Sequence, residues 1–195
     1  MAIMATSTYS AFLSYSRKDE KIGAKIEKDI QRYRIPKKFR LDANERSFTI
    51  FRDVHDAELG EYNEVIEKAL RASEYLIILC SPSSRNSDYV QDEIKNFVEF
   101  HGRDCVIPVL VGGRPNKEVK PGDEDQNQAF PDVLYDYFGE PIAADYRPDS
   151  DEGYFAKRRN QREAFFQIVA KLLKHSKSDD LVRRDRRVDG STCWP

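Results

Sequence analysis

The sequence predicts a doubly wound α/β domain, a parallel sheet with helices on both faces, and three observations predict it. Short apolar runs alternate with helical periods along most of the 195 residues. The central runs are apolar almost without interruption, and polar residues able to do chemistry gather just after the runs. Alternation of this kind builds a parallel sheet through right-handed crossovers. Strands without polar alternation belong to a sheet buried on both faces.

The first run, YSAFLSY (9–15), is followed by Ile22, Ile26 and Ile30, spaced i, i+4, i+8 as on one helix face. The second, SFTIF (47–51), precedes a helix over 61–72. On it Tyr62, Val65, Ile66, Ala69 and Leu70 share one face, and Glu64, Glu67, Lys68 and Arg71 share the other. YLIILC (75–80) leads into a helix over 88–100. CVIPVLV (105–111) is the fourth run, PIAA (141–144) is a weak fifth, and a last helix carries Phe165, Phe166, Ile168, Val169, Leu172 and Leu173. The third and fourth runs, the most apolar, are expected inside the sheet and the fifth at its edge. GGRPNKEVKPGDEDQNQ (112–128), rich in Gly, Pro and charge, reads as a long mobile loop. Residues 1–7 read as a disordered N-terminus, 8–175 as one domain, and 176–195, with mixed charge and no lasting period, as a flexible tail or linker.

Composition removes several function classes. Charged residues are 34% of the chain but nearly balanced, with a net charge of −2, so overall charge points to neither nucleic acid nor an anionic membrane. No run approaches the length of a membrane span. Cys80, Cys105 and Cys193 form no CxxC pair and read as reduced thiols of a cytoplasmic protein. His55, His101 and His175 have no neighbour at metal-ligand spacing. Neither GxGxxG nor GxxxxGK[ST] follows a strand, which removes the Rossmann phosphate turn and the P-loop. A phospho-receiver domain needs acids ending the first strand and an Asp ending the third, where this chain has Ser14-Tyr15-Ser16 and Cys80-Ser81.

One acid breaks its helix pattern. At 100° per residue Val90, Ile94, Phe97 and Val98 fall within one arc and Asp92, Lys95 and Glu99 on the far side, yet Glu93 lands in the apolar sector. A carboxylate there is paired, borders a cavity with water or ligand, or goes neutral. The alternative is a side chain that snorkels out at the margin of the stripe. In an open α/β sheet, ligands bind beyond the carboxyl ends of the strands. The residues reaching that rim are Ser14, Tyr15, Ser16, Arg17 and Lys18 after the first strand, Arg52 and Asp53 after the second, and Ser81, Pro82, Ser83 and Ser84 after the third. Tyr89 stands one turn before Glu93. Each set also suits helix starts and loop solvation.

Taken together, these stretches resemble a known family. AFLSYSRKDE is similar to the first box of Toll/interleukin-1 receptor (TIR) domains, FRDVHDAELG to their second box and BB loop, and YLIILCSPSSRNSDYVQDEI to their third strand and the helix bearing a WxxxE motif. The resemblance covers roughly 8–175 and is nearest the bacterial type. It implies a flavodoxin-like three-layer fold with sheet order 2-1-3-4-5. It also implies cleavage of NAD⁺, as substrate and with no further cofactor, to nicotinamide and ADP-ribose or a cyclic ADP-ribose isomer. The motif glutamate is then Glu93 as catalytic residue, with Tyr89 where the motif has Trp. Arg17 becomes a phosphate or ribose contact, Phe51 and Tyr89 stacking surfaces, and Ser14, Ser16 and Ser81 polar lining, with Tyr15, Arg52 and Asp53 completing the substrate rim. Self-association through TIR–TIR contacts and a part in bacterial antiviral defence are implied too. A TIR domain that only docks other TIR domains, or a virulence factor acting on host signalling, are the other readings. No zinc or acid–base pair is needed for the cleavage, because nicotinamide leaves its ribose as a neutral molecule and one carboxylate can stabilise the cation left behind.

Overall fold

The computed structural model describes residues 8–40, 46–53, 62–147 and 154–174. The two terminal segments (1–7 and 176–195) and the loop from Val54 to Glu61 expected after the second strand lie outside the described residues. Five parallel strands form one sheet in the order β2-β1-β3-β4-β5. They are β1 Tyr9–Ser14, β2 Ile50–Arg52, β3 Ser73–Cys80, β4 Val106–Leu110 and β5 Ala144–Asp145. The helices are α1 Glu20–Arg32, α2 Tyr62–Arg71, α3 Pro82–Arg85, α4 Asp88–His101, α5 Glu124–Asn127, α6 Asp132–Phe138 and α7 Tyr154–Leu172. This is the flavodoxin-like order that the resemblance implies.

Strand periodicity divides the core in two. Ala11, Leu13, Ile77, Leu79 and Val109 face Ile26 and Ile30 of α1 and Phe165, Phe166, Ile168 and Val169 of α7. Phe12, Leu76, Ile78, Cys80 and Leu110 face Ile66, Ala69 and Leu70 of α2, Val90, Ile94 and Phe97 of α4, and Leu134 of α6. β3 therefore has no solvent face, which is why its sequence lacks polar alternation. The chain leaves β1 for one face of the sheet and β3 for the other, so the switch point at which sheets of this order form a crevice lies between the carboxyl ends of these neighbours.

Polar contacts lock α1 in place. Lys25 Nζ donates to Asp29 Oδ2 at 3.0 Å and to the hydroxyl of Tyr146, just past β5, at 2.7 Å. Tyr146 is 1% exposed and Asp29 6%, so each needs a partner there.

Two segments differ from the sequence reading. β5 spans only Ala144–Asp145, and Ile142 of the expected fifth run is 90% exposed. The stretch 112–128 is an anchored structure: it carries a turn at Asn116–Glu118 and the helix α5, and Arg114 bridges to Gln128. The Asn116 amide copies a strand partner, donating to the Phe130 carbonyl and accepting from the Phe130 N–H, both at 3.0 Å. Gly113 is the tight point. At its φ of +69° a Cβ would sit 2.6 Å from the Asn127 carbonyl oxygen and 2.9 Å from the Pro82 ring. Gly113→Ala is expected to destabilise by about 2–3 kcal/mol, combining a disfavoured φ with backbone displacement. Gly139→Ala, at φ +68° and ψ −68° with nothing within 4 Å, meets no atom but places an alanine in a strained γ-turn conformation, at a cost of about 1–3 kcal/mol from the backbone alone. Urea melts of both variants against the parent measure the two losses.

Candidate active site at the carboxyl rim of the sheet

Glu93 does not snorkel; it is 9% exposed. Ser87 caps α4 by accepting the Val90 N–H, so the helix starts at the rim and Glu93 arrives just over one turn later, against the end of β1. Ser14, the last residue of β1 and 1% exposed, donates from Oγ to Glu93 Oε2 at 2.5 Å. Burial pushes the Glu93 carboxyl up to about 8; the Ser14 hydrogen bond opposes this and the charge of Asp53 adds to it. The acid is thus both paired and held near neutrality, two of the outcomes that the helix pattern allows.

Successive β1 side chains point to opposite faces, so Tyr15 turns toward α1 while Ser14 turns toward α4. The Tyr15 hydroxyl donates to the Asp53 carbonyl oxygen at 2.6 Å and accepts from Arg52 Nη1 at 3.0 Å. Arg52 Nε donates to Glu27 Oε2 on α1 at 2.5 Å. Burial alone would lower the Arg52 pKa, but the bonds to Glu27 and Tyr15 hold it above its ordinary value. Burial raises the Tyr15 phenol in spite of Arg52.

A third contact crosses the crevice. Ser81 Oγ, following β3, donates to Asp19 Oδ2 at 2.6 Å. The same oxygen accepts the Ser84 N–H at 3.1 Å, while Ser84 Oγ accepts the Ser81 N–H at 2.8 Å, which closes a capping box on α3. Burial raises the Asp19 carboxyl, against the Ser81 hydrogen bond and the charge of Lys18.

Of the rim residues singled out in the sequence, Ser14 and Glu93 meet directly, Tyr15, Arg52 and Asp53 form one chain, and Ser81 is buried beside Asp19. Ser16 is half-buried and opens the turn Arg17–Asp19, on which Arg17 is exposed. Phe51 packs its ring on Phe12 at 5.3 Å and edge-on to Tyr9 at 5.2 Å. Tyr89 is 61% exposed on the outside of α4. Asp19 and Glu27 were not singled out. An acid in the turn after a strand is a signal that marks Asp19, whereas Glu27 is one polar residue among many on α1. Chemically, the rim offers a buried carboxylate beside a hydroxyl, a setting suited to a developing positive charge. Among the described residues no three His, Cys, Asp or Glu side chains are grouped to hold a metal ion, and no helix is long and apolar enough to cross a membrane.

A family model described as TIR domain matches residues 11–136. The curated NAD(+) hydrolase ApTIR of Actinoplanes sp. is 29% identical over 185 residues, covering 90% of this chain and 25% of its own. The chain thus spans about a quarter of that relative's length. Among solved structures, the TIR domain of the Toll-related receptor TRR-2 of Hydra magnipapillata matches with a TM-score of 0.47 and 15% identity, over 86% of this chain and 100% of that one. A metazoan TIR-STING receptor from C. gigas matches with a TM-score of 0.42 and 23% identity, over 62% of this chain and 37% of that one.

The raised Glu93 pKa makes a stability prediction. Between the ordinary carboxylate range and about 8 the folded chain keeps a proton that the unfolded chain releases, so stability falls as pH rises through that window and levels off above it. Glu93→Gln removes the group that titrates. The melting temperature of the variant should therefore gain on the parent steadily from pH 5 to pH 8 and show little advantage at pH 4. Parallel melting curves across this range check it, and a constant difference would refute it.

Proposed function

The chain belongs to the TIR-domain family, and we propose that it cleaves NAD⁺ at the bond between nicotinamide and ribose, with Glu93 as the catalytic carboxylate. The observation that carries the reading is the buried Glu93 held by Ser14 at the strand-order reversal, where sheets of this order bind ligands. The 29% identity to a protein named as an NAD(+) hydrolase supports the same reaction.

Bond breaking sends the C1′–N electron pair onto the nicotinamide nitrogen, which becomes neutral, so no acid has to protonate the leaving group. The ribose is left with oxocarbenium character, and the Glu93 carboxylate opposes that charge in a site with little water, where the attraction is strong. A substrate that arrives with a cationic ring favours the ionised form of Glu93, lowering the pKa that burial raised. Capture of the ribosyl cation by water, which gives up a proton, yields ADP-ribose. Capture by a nucleophilic atom of the adenosine part yields a cyclic isomer. Ser14, Tyr15, Ser16, Arg17, Arg52, Asp53, Phe51, Ser81 and Tyr89 make up the proposed substrate rim, with Arg17 exposed to meet phosphate or ribose. Tyr89, 61% exposed on α4, is accessible to a ligand ring in this reading. The proposed setting is the bacterial cytoplasm, in antiviral defence, where Cys80 and Cys105 remain free thiols. A role confined to docking leaves unexplained why a buried acid is kept at a cost to stability.

Incubation of the parent with NAD⁺, at the highest soluble concentration, should release nicotinamide, followed by chromatography. Glu93→Gln should lose at least about a hundredfold in rate, the scale of one preorganised electrostatic group. Glu64→Gln, whose side chain is 78% exposed on α2, should match the parent. Because the carboxylate is the working form, kcat/KM should rise with pH until it levels above about 8. Absence of nicotinamide release, or unchanged turnover in Glu93→Gln, would sink the reading. Self-association makes a separate prediction: rate per subunit rises with protein concentration, because mass action supplies the competent assembly. A flat dilution series down to concentrations where light scattering finds only monomer would exclude it.

A further inference from the structure

We infer that Glu27, midway along α1, is a positioning residue for this reaction, acting through Arg52, Tyr15 and Asp53 on the groups that flank Glu93. The inference rests on the reading of the site given above. Glu27 touches neither Glu93 nor the crevice between β1 and β3; its carboxylate meets Arg52 Nε at 2.5 Å.

The chain of contacts has a fixed direction. The Arg52 side chain is 12% exposed and that of Glu27 22%, so among the described residues this carboxylate is the charge partner of a shielded guanidinium. Removing one member of such a pair leaves a poorly solvated charge, which moves to find water. While it is held, Arg52 Nη1 donates to the Tyr15 hydroxyl at 3.0 Å. That hydroxyl has a single proton, and an incoming N–H bond leaves it free to give the proton to the Asp53 carbonyl, 2.6 Å away. Glu27 thereby sets the orientation of a phenol that ties the end of β1 to the residue leaving β2.

Both ends of this tie reach Glu93. Tyr15 directly follows Ser14, which holds the Glu93 carboxylate, and with side chains alternating across β1 a twist at one is a twist at the other. Asp53 is the charged residue that acts on Glu93 from beyond β2. The other polar pin of α1, Lys25 with Asp29 and Tyr146, lies toward β5 and has no part in this chain. Two clusters on one helix therefore separate two jobs: Lys25 docks the helix, and Glu27 sets the rim.

The experiment uses the full chain as parent, Glu27→Ala, Glu27→Gln and Lys25→Met. NAD⁺ kinetics are measured at a concentration that supports activity, and NMR follows the amides of Ser14 and Asp53 and the carboxyl carbon of Glu93. Glu27→Ala should lower kcat on the order of ten- to a hundredfold with a much smaller change in KM, as expected when reacting groups are misplaced. Glu27→Gln keeps an oxygen to accept the Arg52 N–H but not the charge, and should fall between Glu27→Ala and the parent. Lys25→Met should lower the melting temperature with kcat kept. The three resonances should move in Glu27→Ala and stay in Lys25→Met. A Glu27→Ala variant that melts early with parental kcat, or resonances that stay in place, overturns the inference. If the parent does not cleave NAD⁺, the proposed function fails and the resonances alone decide whether Glu27 is coupled to Glu93.

Discussion

The setting of the one buried acid on α4 depends on one hydrogen bond, from Ser14 at the end of β1 to Glu93. A carboxyl group at 9% exposure is destabilising by itself, and the bond supplies one of the few partners it has. The bond can form only because the strand order puts β1 beside β3 while the chain leaves them for opposite faces. α4, entered from β3, then lies over the sheet face toward which Ser14 points. A one-residue slip in the β1 register would turn Ser14 toward α1 and send Tyr15, a far bulkier group, at Glu93. The register from Ala11↔Tyr75 to Ser14↔Ile78 is thus a requirement of the site as much as of the core.

The two sides of the rim solve different problems. On the α4 side, a carboxyl group is buried and its pKa raised to about 8, against the hydrogen bond from Ser14. On the α1 side, Arg52 Nε bonds Glu27, Arg52 Nη1 bonds the neutral Tyr15 hydroxyl, and that hydroxyl bonds the Asp53 carbonyl, a connected chain of three hydrogen bonds. Asp53 belongs to both: its backbone ends the chain, and its carboxylate biases Glu93. The Asp19–Ser81 bond joins the turn after β1 to the start of α3, so the crevice is bordered by hydrogen-bonded segments on each side.

Much of this was legible in the sequence for physical reasons. β3 is buried on both faces, so its apolar run could not be missed, and α4 has a clear 3.6-residue period against which a lone inward acid is visible. Ser14, Arg52 and Ser81 were readable as rim residues because parallel strands put their following residues at one end. The one-turn α5 and the seven-residue α6 were not readable, being too short to establish a period. Nor was the anchoring of the segment after β4: it depends on the Asn116 amide meeting Phe130, a contact between a loop side chain and a distant backbone. Glu27 was invisible for a similar reason. Nothing along α1 separates it from its polar neighbours until β2 brings Arg52 alongside.

The sequence separations of the rim contacts have a consequence for synthesis. Ser14 and Glu93 are 79 residues apart, Asp19 and Ser81 are 62, and Glu27 and Arg52 are 25. No fragment short enough to fold locally contains both halves of the first pair. An emerging chain must expose α4 and complete a β1–β3 pairing before the carboxylate acquires its environment, and such non-local closures come late in folding. The environment of this carboxyl is therefore a property of the assembled sheet: a stalled or truncated chain ending before α4 has Ser14, Arg52 and Ser81 but not Glu93.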